Sequence, residues 1–207
     1  MDARIDHLVT AGNSDPDGPP VHKNNVWIVG DDREVIVIDP AHDAEAVAEA
    51  LGNRKVSQIL LTHGHWDHVR AVIDFARLVD APFLLNPADA FLWEQSHPGV
   101  GFGPLADGQV FEAGGARLEA RHTPGHTPGS TVFVAPELGA VFSGDTLFEG
   151  GPGATRWDYS DFTRIVESIR TRLLTLPPET VVNTGHGPST TIGAEAPHLD
   201  EWIARGW

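Results

Sequence analysis

Apolar residues along the chain fall into two alternating patterns: short, β-branched runs that read as buried strands, and longer stretches with apolar positions three and four apart that read as helices. The runs Val26-Trp27-Ile28-Val29 and Glu34-Val35-Ile36-Val37-Ile38, separated by Gly30-Asp31-Asp32, predict a hairpin. Asp43 then caps a predicted helix carrying Ala46, Val47, Ala50 and Leu51, closed by Gly52-Asn53. The run Val56 to Leu61 predicts a further buried strand, followed by one helix from about Trp66 through Val72, Phe75, Ala76 and Val79. Pro82 to Leu85 reads as a strand, and Pro87 opens a helix with Ala90, Phe91 and Trp93.

The second half repeats the alternation. Val110 to Ala113 and Ala116 to Ala120, joined at Gly114-Gly115, predict a hairpin, and Thr131 to Ala135 and Ala140 to Phe142 predict two more strands. Asp161 caps a helix whose stripe is Phe162, Ile165, Val166, Ile169, Leu173 and Leu176, stopped by Pro177-Pro178. A short strand from Thr180 to Asn183 and a last helix with Leu199, Trp202 and Ile203, ending at Gly206, complete the order. Residues 12–20 carry turn chemistry and predict an exposed loop. The glycine- and proline-rich stretch 96–108 either borders a site, with His97 and Phe102 as walls, or is a plain surface excursion.

Composition narrows the picture. The 207 residues are 41% hydrophobic and 21% charged, values of one globular domain spanning 1–207 rather than of a disordered chain. A formal net charge of -15 without a basic patch argues against nucleic acid as a partner. No apolar run approaches a membrane span and the first residues lack a signal-peptide pattern, so a cytoplasmic protein with no membrane contact is expected. With no cysteine, disulfides and thiolate ligands are excluded, and any metal must be held by nitrogen and oxygen donors, which suit zinc, iron or manganese.

The chemistry concentrates where predicted strands end. Thr62-His63-Gly64-His65-Trp66-Asp67-His68 places three imidazoles and a carboxylate in one turn. Such a cluster needs counter-charge and separation that a cation supplies, and the spacing suggests two metals. A helix starting near Trp66 would favour an ionised Asp67 and a neutral His68 through its dipole. Two threonine-proline pairs hold the loop Thr123-Pro124-Gly125-His126-Thr127-Pro128-Gly129-Ser130 tightly around His126, with His122 as a neighbour rather than a ligand. Asp145 in Ser143-Gly144-Asp145-Thr146 either caps a turn or bridges the clusters, and His186 in Gly185-His186-Gly187-Pro188 is a third strand-to-histidine presentation. Asp39, at the end of the second predicted strand, either makes an Asx turn or orients a histidine. His198 reads as a surface residue. Each half ends a strand in a histidine of this kind, a hint of an internal pseudo-repeat.

These five motifs, in this order and over nearly the whole chain, resemble those of the metallo-β-lactamase superfamily, with Asp39 where that family places an early aspartate. The resemblance implies an α/β fold, a four-layer αββα sandwich with the site at one edge between two sheets. It implies that His63, His65 and His126 hold one divalent metal and Asp67, His68 and His186 a second, with Asp145 bridging, and that Asp67 and Asp145 take part in catalysis. Zinc is the expected metal, with iron or manganese as alternatives. Within the superfamily the 123–130 loop and Gly144-Asp145-Thr146-Leu147-Phe148 look most like short glyoxalase II-like proteins, which implies a small-molecule thiol conjugate, an acyl-glutathione or acyl-mycothiol, as substrate. Two cations would bring a bridging water from a pKa of about 15.7 toward roughly 7, and a thiol leaving group with a pKa of roughly 8.5 departs without a strong acid. Competing expectations are a mononuclear iron persulfide dioxygenase, a hydrolase of a lactone or other ester, and a metal-stabilised binding protein. Arg70-Ala71, where relatives often have two glycines, and Ala154-Thr155-Arg156-Trp157-Asp158 depart from the family pattern and point to altered substrate recognition.

Overall fold

The computed structural model describes residues 2–13 and 21–206. The predicted 12–20 loop falls, beyond Gly12 and Asn13, outside them. A first sheet has the order β1-β2-β3-β4-β5-β6, from β1 (Arg4–Gly12), β2 (His22–Gly30), β3 (Glu34–Ile38), β4 (Lys55–Leu60), β5 (Phe83–Leu85) and β6 (Gly103–Pro104). The chain then builds β7 (Val110–Ala113), β8 (Ala116–His122), β9 (Thr131–Ala135) and β10 (Ala140–Gly144), a small ribbon of β11 (Leu147–Phe148) and β12 (Gly151–Pro152), and finally β13 (Val181–Thr184) and β14 (Thr190–Thr191). The second sheet runs β14-β13-β10-β9-β8-β7. Helices α1 (Ala44–Leu51), α2 (Trp66–Val69), α3 (Val72–Val79) and α4 (Ala90–Ser96) belong to the first half, and α5 (Phe162–Ser168), α6 (Ile192–Glu195) and α7 (Leu199–Arg205) to the second.

Three apolar layers separate these elements. Val26, Ile28, Val35, Val37, Ile59 and Leu61 pack with Val47, Val72 and Phe75, so α1 and α3 cover the outer face of the first sheet. Ile36, Ile38, Leu60, Leu118, Phe133 and Phe142 fill the space between the sheets. Val132, Val134, Val141 and Val182 meet Ile165, Ile169 and Trp202 of the second helical layer. Consecutive strand residues point to opposite faces, which is why Val35 and Val37 serve the helical layer while Ile36 and Ile38 serve the layer between the sheets. The result is the expected αββα order of layers.

Local signals are realised where the chemistry is local. The Asp43 carboxylate accepts from Ala46 N at 2.9 Å, and Gly52 closes α1 at φ 63°. Asp161 caps α5 by accepting from Arg164 N at 2.9 Å. That helix widens after Ser168, where Leu174 N bonds Ile169 O at 2.9 Å, yet its stripe stays in the core as predicted.

The structure departs from the sequence reading at three places. The single helix from Trp66 to Val79 is two: α2 packs on β2 and α4, α3 packs on α1 and β4, and the chain redirects at Arg70-Ala71 to serve both sets of neighbours. Phe91 and Ile203, placed among apolar helix positions, are exposed. Strand β1 was not predicted, because an edge strand that pairs only with β2 keeps Arg4, Asp6 and His7 along its length and shows no clear alternation. Among the described residues no helix is long and apolar enough to cross a membrane.

Candidate metal centre

The parallel pairs β3/β4 and β10/β13 aim their C-terminal ends at one rim of the sandwich. Asp39 follows β3, the 63–68 turn follows β4, Asp145 follows β10 and His186 follows β13, while His126 hangs from the β8–β9 connection. Cross-links between sheets hold the rim together: Thr131 N donates to Thr62 O at 2.8 Å, Asn25 N to Gly185 O at 2.8 Å, and the Trp27 indole N–H to Thr184 O at 3.0 Å.

All seven predicted residues meet there. His63 Nε2 and His126 Nε2 each lie 3.0 Å from His65 Nδ1, and His68 Nε2 lies 3.2 Å from His186 Nε2. Asp67 Oδ2 is 3.3 Å from His186 Nε2. Asp145 faces both groups, with Oδ2 3.5 Å from His126 Nε2 and 3.4 Å from His186 Nε2, and Oδ1 3.4 Å from His68 Nε2. Three groups here could hold a metal, His63/His65/His126, Asp67/His68/His186 and His63/His68/Asp145, and the last, which draws a histidine from each of the first two trios, puts Asp145 between them. Gly185 is required for this approach, since a Cβ there would stand 2.3 Å from Asp145 Oδ1.

The outward nitrogen of each of these five imidazoles is held, and a partner that can only accept makes that nitrogen the donor. His126 Nδ1 donates to Ala154 O at 2.7 Å and His186 Nδ1 to Lys23 O at 2.7 Å, because a carbonyl can only accept. Thr62 gives its hydroxyl proton to Asp39 Oδ2 at 2.6 Å, so its oxygen accepts from His63 Nδ1 at 3.0 Å. Asp39 Oδ2 also accepts from His68 Nδ1 at 2.9 Å, which decides between the two roles considered for Asp39: it orients a histidine. His65 Nε2 meets the Tyr159 hydroxyl at 2.9 Å. In the first trio three ring nitrogens converge, and Asp145 Oδ1 is buried without a hydrogen bond, His68 Nε2 lying 3.4 Å away. Crowded ring nitrogens and a buried carboxylate oxygen that no hydrogen bond reaches are unfavourable alone and suited to a cation.

Electrostatics divides the trios. Burial holds His63 well below the usual imidazole range, His65 down to about 3, and His126 below its ordinary value, so all three are neutral. Burial would lower His68 and His186 too, but the Asp145 carboxylate next to them, with help from Asp67, lifts His68 well above its usual range and His186 to about 10. Burial pushes Asp67 and Asp145 up, and the charged imidazoles reverse that and hold both below the carboxylate range. The expectation that a helix dipole keeps His68 neutral is therefore overturned for the metal-free chain: α2 is one turn long, and two carboxylates outweigh it.

The trios open on a cleft of about 870 Å³ walled by Trp66, Phe148, Trp157 and Tyr159, with Arg156 and His22 also lining it. Arg156 lies over the Trp157 ring, 4.8 Å from its centroid. Burial raises the Tyr159 phenol to about 12, so it stays protonated. His97 and Phe102 do not line this cleft: His97 bonds Val69 O and both rings pack on Trp93. Arg70 reaches Asn13 O instead of the cleft. His122 bonds Pro128 O, a neighbour as expected. Residues the sequence does not single out include Tyr159, Asn24, whose amide donates to Asp67 Oδ2 at 3.2 Å, and Asp89.

The layers and the histidine-rich rim define a metallohydrolase-type sandwich. The description "Metallo-beta-lactamase superfamily" matches residues 19–186, and the chain belongs to that superfamily. It is 36% identical over 188 residues to "Hydroxyacylglutathione hydrolase GloC" of Haemophilus influenzae, covering 82% of this chain and 87% of that protein. Among solved structures it is similar to TTHA1623 in a di-iron-bound form (36% identity, TM-score 0.76, 84% of this chain and 92% of that one). It is also similar to the BLEG-1 B3 metallo-beta-lactamase (31% identity, TM-score 0.73, 85% and 92%).

Proposed function

We propose that the chain is a dinuclear metal-dependent hydrolase that cleaves the thioester of a small thiol in the cytoplasm. The observation that carries the reading is Asp145, which faces two donor trios at once, with one buried oxygen that no hydrogen bond reaches. His63, His65 and His126 would hold one divalent cation, Asp67, His68 and His186 the other, and Asp145 both. Together the cations would supply an activated water and a partner for a developing oxyanion. Zinc suits the donor set, and the likeness to a di-iron-bound structure keeps iron in play.

The chain's own residues do the rest. Asp39, Thr62, Lys23 O, Ala154 O and the Tyr159 hydroxyl fix five ring orientations. The aromatic walls exclude water around an acyl group, and the Arg156 guanidinium draws an anionic carrier to the cleft of an otherwise acidic protein. The likeness to a hydroxyacylglutathione hydrolase supports a thioester over other esters. The test is metal analysis of the purified chain with turnover of S-lactoylglutathione, other acyl thiols, a lactone and a β-lactam. Two metals per chain with acyl-thiol turnover above the others is the expected result. Two metals with no acyl-thiol turnover would end the substrate assignment, and a single iron with oxygen uptake on a thiol persulfide would replace it with a dioxygenase.

A further inference from the structure

Asp89 stands just before α4, at the position where an aspartate ordinarily caps its own helix, yet its side chain makes no such bond. Its fully buried carboxylate instead accepts from three donors on two distant segments. Oδ2 takes Gly64 N at 2.8 Å and the Thr127 hydroxyl at 2.7 Å, and Oδ1 takes Gly129 N at 2.6 Å. Gly64 lies between His63 and His65, and Thr127 follows His126, so one carboxylate joins both segments that carry the first trio. The backbone is shaped to admit it: a Cβ at Gly129 would come within 2.6 Å of Asp89 Cγ, and one at Gly64 within 3.0 Å of Asp89 Cβ.

The second trio has separate supports. Asp67 is met by Asn24, His68 by Asp39 and His186 by Lys23 O, and Asp89 bonds none of them. We infer that Asp89 is a positioning residue for the His63/His65/His126 trio alone, setting the separation of its two arms and hence the affinity of one of the two cations. The inference rests on the two-cation reading above. Partners of this kind typically carry 10–100-fold in metal affinity.

Single-trio chains make the inference testable. His186→Ala disables the second trio and leaves the first, and His126→Ala does the reverse. Zn2+ affinity is measured on each metal-free full-length variant by competition with a chromophoric chelator, with and without Asp89→Asn. Asparagine keeps the shape but turns an N–H group toward N–H donors. The expected result is about 10–100-fold weaker Zn2+ binding in the His186→Ala chain and no change beyond about twofold in the His126→Ala chain. Equal losses in both, or none in either, overturn the assignment. If the circular dichroism of Asp89→Asn departs from that of its parent, Thr127→Val, which removes one of the three bonds, takes its place. A smaller loss confined to the His186→Ala chain supports the inference, and no loss there overturns it. A native chain that takes up fewer than two Zn2+ removes the two-cation reading, and the inference with it, whatever Asp89→Asn does.

Discussion

Loading the metal-free protein with divalent cations should release about two side-chain protons, both from one trio. In the metal-free chain His68 and His186 are held charged by Asp145 and Asp67, whereas His63, His65 and His126 are neutral. A cation can enter the second trio only by displacing the Nε2 protons of His68 and His186, while the first trio binds without displacing any. The experiment is titration calorimetry of the metal-free chain with Zn2+ at pH 6, in buffers of different ionisation enthalpy. At pH 6 both charged imidazoles keep their protons, and a water between two cations, with a pKa of roughly 7, still holds its own. The slope of apparent enthalpy against buffer ionisation enthalpy counts protons and should be near two. A slope near zero would mean that the carboxylates do not charge the imidazoles, and a slope of four or five that burial does not keep the first trio neutral. Either result refutes the division of the site.

Asp145→Asn should cut kcat/KM by roughly 10–100-fold, with the metal-free fold intact by circular dichroism, and should lower the proton count because Asp145 is the main charge raising both imidazoles; near-native activity would contradict the shared role of Asp145. The metal-free protein should lose stability as pH rises. His186 is raised from 6.5 to about 10 in the fold, so its contribution is fully present below pH 6.5 and lost as pH climbs through 10, and the melting temperature should fall across that window. Arg156→Gln should raise KM for an acylated anionic thiol by about tenfold, or about 1.4 kcal/mol, and leave KM for a neutral thioester unchanged. Phe133→Ala, fully buried between the sheets, should cost about 3–5 kcal/mol in denaturant unfolding.

The seven residues of the rim were legible in the sequence because each is announced locally, by a histidine cluster or by glycine and proline beside a strand end. The sequence leaves Asp39 between two roles, since only the fold shows that Thr62 and His68 both come to its carboxylate. Asp89 and Asn24 could not be found at all: their partners are 25 to 43 positions away, and a lone aspartate before a helix reads as a cap. The protonation of His68 is hidden for a related reason, because the decisive charge, Asp145, is remote in sequence. Strands are readable where runs are buried on both faces, as in β3 and β9, and not at the solvent edge, where β1 pairs on one side only.

Neither donor trio can be closed by one half of the molecule. His63 and His65 extend from the first sheet and His126 from the second, and Asp67 and His68 face His186 across the same seam. Sliding one sheet past the other by a single residue, about 3.4 Å, would carry every such grouping out of coordination range. Bound cations would thus act as rivets through the seam, and their retention would report whether the two sheets keep their native alignment.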